Sequence, residues 1–243
     1  MALIDNLIAH WKMEEDGTTT RADSHGSYNL PYYNGGPGRV AGKIGSYAVA
    51  FDDGASNNYY LRTPSAPAEA FHPTTAYTIA AWVKRNDFGT TGTCGYLGEY
   101  GTTIGFTFYV YWDSSPGVYR HISTHGRGVG DYVSTEIESA STDWEFVVIR
   151  WSGSQLLINV NAGTPATVSC NAIVSWASAG ITDIRSGRRT PTDEQVYVDS
   201  MSFWHRSLSD AEITQLYNNG NGLDYPFGMA VGSKAHMPLF TRG

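Results

Sequence analysis

From residue 7 to residue 204 the chain is written in short segments of alternating apolar and polar residues, separated by turns rich in Gly, Asn, Asp and Ser. A period of two is the mark of strands, because successive side chains point to opposite faces of a sheet. "LIAHWKMEE" (7–15) sets Ile8, His10 and Lys12 against Leu7, Ala9, Trp11 and Met13, and "YTIAAWVKR" (77–85) sets Ile79, Ala81 and Val83 against Ala80, Trp82 and Lys84. "SYAVAFDDG", "NYYLRTP", "IGFTFYVYW", "VYRHIST", "WEFVVIRW", "QLLINVN" and "VYVDSMSFW" read the same way. About a dozen such strands with no helix between them predict two packed antiparallel sheets.

One helix is well marked, and it comes last. In "LSDAEITQLYNNGNG" (208–222), Ser209 and Glu212 form a capping box, in which each side chain satisfies a backbone N–H left open by the first turn. Ile213, Leu216 and Tyr217 make one apolar stripe, and Asn218, Asn219 and Gly220 supply the left-handed residues that stop a helix. A lone helix closing an all-β chain is expected to plug one open end of the sandwich with that stripe. In "NVNAG", Asn159 and Asn161 are expected at a hairpin turn, since Asn tolerates positive φ.

A chain of 243 residues buries roughly 70–75% of its unfolded surface in a single domain, so it needs neither disulfide nor metal to make a core. Charged residues are sparse at 16%, while 27 Gly and 16 Tyr suit strands and tight turns. The net charge of −7, with no cluster of Lys or Arg, argues against nucleic acid, whose phosphates an acidic surface repels. No run approaches the roughly 20 apolar residues of a membrane span, and "MALIDNLIAHWKMEEDG" lacks the basic start and apolar stretch of a signal peptide. The expectation is synthesis in the cytoplasm, without membrane insertion. Cys94 and Cys170, the only cysteines, are compatible with one disulfide or with two buried thiols.

In order along the chain, the strand "LIAHWKMEE", the turn "ADSHGSYNL", "GKIGSYAVAFDDG", "YTIAAWVK", "WEFVVIRW", "LLINVNAG" and "VDSMSFWHRSLSDAEITQLYNNGNG" resemble the laminin-G-like domains of the concanavalin A-like lectin and glucanase superfamily. The closing pattern R-x-L-S-x-x-E-I-x-x-L-Y-N is the most specific of these. The resemblance covers about residue 7 to residue 222 and implies a two-sheet antiparallel jelly-roll β-sandwich with one short C-terminal helix. The domain is expected over residues 1–225, with residues 226–243 as a tail. The resemblance leaves function open between sugar binders, adhesion modules, enzyme appendages and structural modules.

Catalytic signals are weak. Glucanases on this scaffold resemble one another in a strand bearing E-x-D-x-x-E, whose carboxylates act as nucleophile and general acid. Glu194 and Asp199 are five apart, which places them on opposite faces of a strand, and Glu136 and Glu138 share a face beside no third acid. The Arg, Gln-x-His and Tyr motifs of alginate lyases are missing, and the histidines lack metal-ligand spacing. The chain is therefore expected not to be an enzyme. Related jelly rolls often carry a structural Ca²⁺, and Asp23, Asp53 (beside Asp52) and Asp199 are the candidate ligands. An Asx-turn, in which each Asp accepts a nearby backbone N–H, is the alternative.

A glycan surface is read from two neighbouring strands. If Phe106, Phe108, Val110 and Trp112 face the core, Tyr109 and Tyr111 face outward; if Val118 and Ile122 are buried, Tyr119 and His121 turn outward too. Tyr109, Tyr111, Tyr119 and His121 would then share one face, offering rings to a sugar's C–H groups and polar atoms to its hydroxyls. The tail has no acid beyond Asp224 and carries Lys234, Arg242, Leu239 and Phe240, so it is expected to reach a neighbouring subunit. The leading expectation is a non-catalytic surface or decoration protein of a virus particle, of phage kind, that touches glycans at a virion or extracellular surface. The alternatives are a stand-alone cellular lectin and a degenerate glycoside hydrolase or polysaccharide lyase.

Overall fold

A computed structural model describes residues 1–16, 19–33, 38–51, 60–62, 75–85, 92–99, 104–113, 118–128, 131–171, 184–187 and 196–228. At residues 32–33, 60, 62, 92–99, 104–113, 118–119, 124, 126–128, 131–132 and 184–187 the description covers the backbone and not the side chain. The strands are β1 (Leu7–Trp11), β2 (Tyr32–Tyr33), β3 (Gly38–Ala41), β4 (Tyr47–Phe51), β5 (Tyr60–Arg62), β6 (Tyr77–Arg85), β7 (Gly92–Glu99) and β8 (Ile104–Asp113). They continue as β9 (Val118–Gly128), β10 (Asp131–Ser139), β11 (Glu145–Trp151), β12 (Gln155–Val160), β13 (Ala166–Ser169), β14 (Ile184–Gly187) and β15 (Val196–Trp204), and helix α1 (Asp210–Tyr217) closes the order.

Among the described residues these strands form two antiparallel sheets. The first runs β13-β12-β11-β6-β15-β4-β3, with β1 also on β15; the second runs β10-β9-β8-β7-β14-β5-β2. Strand β15 keeps β6 on one side along its length and shares its other edge between two partners. Val196–Val198 of β15 pair with β4, and Met201–Trp204 pair with β1. The changeover is a bulge between Asp199 and Ser202, where Ser200 takes a φ of 47°. The extra residue resets the alternation, so Val196, Val198, Met201 and Phe203 all reach the core between the sheets.

The first sheet is buried on both faces at its centre: every residue of β11 and β15 is buried, and only Lys84 of β6 is not. Its inner face, with Ile79, Ala81, Val83, Val147 and Ile149, packs toward the second sheet. Its outer face carries Ala80, Trp82, Phe146, Val148 and Trp204, and α1 lies over them through Ile213 and Leu216. Tyr217 stacks on Trp82 at 5.9 Å and on Phe146 at 6.3 Å. The helix therefore forms a third layer on a sheet face; the expected plug in an open end is not what the stripe makes. The two-sided apolar character of β6 and β15 required such a cover.

The expected helix ends are present. Ser209 and Glu212 make the reciprocal capping box, and Asn218 caps the C-terminus at φ 48°. Arg150, on the outer face of β11, donates to the Leu208 carbonyl at 2.7 Å and to Asp210 Oδ1 at 2.7 Å, pinning the helix start to the sheet. In the β12–β13 hairpin the turn residues are Asn161 (φ 52°) and Ala162 (φ 55°). Asn159 lies in β12 instead, buried, and its Nδ2 donates to the Gly163 carbonyl at 2.7 Å.

The expected boundary after residue 225 falls inside a packed segment. Tyr225 stacks on His10 at 4.9 Å, and Phe227 is 6% exposed within the outer apolar cluster. Residues 229–243, most of the expected assembly tail, lie outside the described residues. Cys170 is buried, and the Cys94 side chain lies outside the description. No helix among the described residues is long and apolar enough to cross a membrane.

Candidate ligand face

Direct cross-strand partners share a face of a sheet, so the register of β8, β9 and β10 decides which residues can act together. Val110 pairs with His121, Phe108 with Ser123 and Phe106 with His125. His121, Ser123 and His125 are 3%, 0% and 0% exposed. This parity is the core face, and β9 lines it with polar residues. The other parity forms rows across three strands: Tyr111–Arg120–Glu138, Tyr109–Ile122–Glu136 and Thr107–Thr124–Ser134. Glu136, Glu138 and Ser134 are exposed, so this is the solvent face.

Tyr109, Tyr111, Tyr119 and His121 do not share a face. His121 is enclosed, with Nε2 at 2.7 Å from Glu145 Oε2 across the sandwich. Tyr119 pairs with Trp112 and so falls at the parity of His121. The Tyr109 and Tyr111 positions belong to the solvent-face rows; the side chains of all three tyrosines lie outside the description. Apolar Val118 and Ile122 imply the opposite phase for β9; Ile122 is buried, but at the parity of the exposed Glu136. His121 and His125 take the interior because polar partners await there. Glu145 also accepts from Ser139 Oγ at 2.5 Å, while His125 Nδ1 meets the Tyr77 hydroxyl at 3.1 Å and its ring lies 4.8 Å from Trp151. Buried polar groups persist where they are hydrogen-bonded. The available signal is Glu145 itself, an acid at a parity of β11 otherwise held by Val147, Ile149 and Trp151.

On the solvent face Arg120 is central. Its Nη2 lies 3.4 Å from Glu138 and its Nε 3.8 Å from Glu136, with side-chain exposures of 28% for Arg120, 49% for Glu136 and 59% for Glu138. The two glutamates are exposed on the edge strand β10, on one face as their spacing implies, and the register adds their alignment with two tyrosine positions.

The acidic positions have other employment. Asp23 takes N–H donors from His10 and His25 on Oδ1 and from Tyr28 on Oδ2, all at 2.9–3.0 Å. It thereby ties the "DSHG" turn to β1. Asp199, fully buried, accepts from the N–H groups of Lys43 and Ile44 at 2.6 and 2.8 Å and so holds the "GKIG" turn. Burial pushes its carboxyl up to about 7, against the opposing pull of those N–H groups. Glu14 receives the Ser46 and Tyr47 N–H groups of the same turn, and Gly45 (φ 71°) has no room there for a Cβ beside the Glu14 carboxylate. No three His, Cys, Asp or Glu side chains converge on a metal position among the described residues. Asp53 lies outside the described residues. On β1, burial and neighbouring Lys12 push the His10 imidazole down to about 3, and its Nδ1 bonds Ser202 Oγ at 2.7 Å.

A family model described as the concanavalin A-like lectin/glucanases superfamily, of laminin-G type, matches residues 53–214. No curated protein sequence matches the chain. Among solved structures, the binding domain of botulinum neurotoxin DC in complex with rat synaptotagmin II is similar with a TM-score of 0.66 at 11% identity, covering 89% of this chain and 52% of that one. A structure of botulinum neurotoxin type C, concerned with cell entry dependent on two ganglioside molecules, gives 0.68 at 11%, over 88% and 51%. The binding domain of botulinum neurotoxin DC in complex with SialylT gives 0.64 at 12%, over 89% and 51%. The chain thus spans about half the length of these domains, and the likeness is one of fold. With the family model over two thirds of its length and the two-sheet architecture in agreement, this chain belongs to the concanavalin A-like lectin/glucanase superfamily.

Proposed function

We propose that this protein is a non-catalytic recognition module that binds glycan on the solvent face of β8–β10, with Tyr109 and Tyr111 as the stacking residues. The observation that carries the reading is that nearly the whole chain shares its fold with binding domains, including ones described with a ganglioside-dependent entry step and with SialylT. The engaged state of the acids supports the non-catalytic part: Glu145, Asp23, Asp199, Glu136 and Glu138 each hold a structural partner. A glycan array read beside β-glucan and alginate turnover assays tests both parts. Binding without turnover is expected; carboxylate-dependent turnover overturns the non-catalytic reading.

The wider setting we propose is a surface or decoration protein of a virus particle, of phage kind, held to neighbouring subunits by the tail. Phe227 packs on the domain, so the arm begins after it. Deleting residues 229–243 is expected to leave the melting temperature nearly unchanged while abolishing incorporation into particles, and normal incorporation refutes the anchor. A structural Ca²⁺ near Asp23, Asp53 and Asp199 belongs to the same proposal. A melting temperature lowered by excess chelator supports it, and an unchanged one removes it.

A further inference from the structure

The rows on the solvent face carry information about the kind of glycan. Strands lie about 4.8 Å apart, so a row across β8, β9 and β10 spans about 10 Å, the scale of one or two sugar rings. In the row Tyr111–Arg120–Glu138 an aromatic position, a guanidinium and a carboxylate lie side by side, and the next row places Tyr109 beside Ile122 and Glu136. Ile122 is 9% exposed, which leaves the charged groups as the solvent-facing chemistry of β9 and β10 here. Two carboxylates stand against one guanidinium, and they are the more exposed partners. Arg120, the cation of these rows, is already held between them.

An ionised carboxylate is a pure acceptor and binds donors such as sugar hydroxyls through charge-assisted bonds. The carboxylate of a sialic acid has no proton to donate at neutral pH. It would have to displace a glutamate from Arg120 and sit beside two like charges, on a protein of net charge −7. We infer that this face selects uncharged, hydroxyl-rich glycans over sialylated ones, with Glu136 and Glu138, positioned by Arg120, as the specificity-determining side chains. The inference rests on the glycan reading above. It goes further by naming the ligand class and two residues on which that reading does not depend.

The test uses the full chain on pairs of glycans that differ only by a terminal sialic acid, with wild type and the E136Q/E138Q variant, each checked for an unchanged melt. Both residues are exposed, so the variant is expected to fold. Wild type is expected to bind the neutral member about tenfold or more tightly at low ionic strength. That gap should narrow as salt screens the carboxylates and collapse in the variant. Equal or tighter binding of the sialylated member overturns the inference and leaves the glycan reading standing. A gap that persists unchanged in the variant overturns the role of the two glutamates. Failure of the folded protein to bind either member overturns the glycan reading and the inference with it.

Discussion

Asp199→Asn is the substitution whose effect follows most directly from the geometry. The carboxyl is fully buried beneath the Lys43–Ile44 turn, where Oδ2 takes two N–H donors. Burial raises the folded-state pKa from its ordinary 3.8 to about 7. A group so raised contributes stability that is complete below pH 3.8 and is lost as the pH rises through 7. The loss comes to about 4 kcal/mol by pH 8, from roughly three pKa units at 1.36 kcal/mol each. For a domain of this size that is roughly 8–16 °C in melting temperature. Asparagine keeps an acceptor for the Lys43 and Ile44 N–H groups and cannot ionise. The variant should therefore lose this slope, and the difference between its stability and that of wild type should grow in the variant's favour from pH 4 to pH 8. Urea melts at half-unit pH steps measure it, each protein compared at the same pH so that every other titration cancels. A difference that stays constant over this range refutes the reasoning.

The opposite limb belongs to His10, whose folded-state pKa of about 3 lies below its ordinary 6.5. Its contribution is present above pH 6.5 and is lost as the pH falls through 3, by about 5 kcal/mol; His10→Asn should flatten that acid loss in the same urea series, and a slope identical to wild type contradicts the assignment. Ser209→Ala removes the helix cap and should cost about 1 kcal/mol, seen as a lower urea midpoint with an unchanged slope. Ala162→Gly relieves a left-handed alanine in the β12–β13 turn and should stabilise by about 0.5–1 kcal/mol; a destabilised variant shows that the Ala162 methyl earns more by packing than its backbone costs.

The fold was readable because its signals are local. Alternation located β6, β11 and β15, and the Ser209–Glu212 box with the Asn218 stop located α1 nearly to the residue. The placement of the helix was not readable, since a stripe of Ile213, Leu216 and Tyr217 says that something is covered and not what. That answer lay in β6, where Ala80 and Trp82 are as apolar as Ile79 and Ala81 and so demand a layer on each side. The candidate site suffered from the same gap at longer range. Which parity of β9 faces inward depends on Glu145 and Tyr77, 24 and 48 residues from their histidine partners. No pattern within "VYRHIST" contains them. At Asp23 the His25 N–H makes the Asx-turn that the sequence offers, a local pattern, whereas the Lys43 and Ile44 N–H groups that meet Asp199 lie far from it in sequence and no local pattern contains them.

Titration calorimetry of the strongest glycan from an array, with wild type and a Y109A/Y111A variant of unchanged melt, tests the central claim that the β8–β10 solvent face is a sugar-binding surface. Loss of one stacked ring typically costs about 1 kcal/mol, so the double variant should weaken binding about tenfold to a hundredfold, and His121→Ala, if it folds, should weaken it far less because that ring faces the core. Undiminished binding by Y109A/Y111A contradicts the account and places the ligand elsewhere.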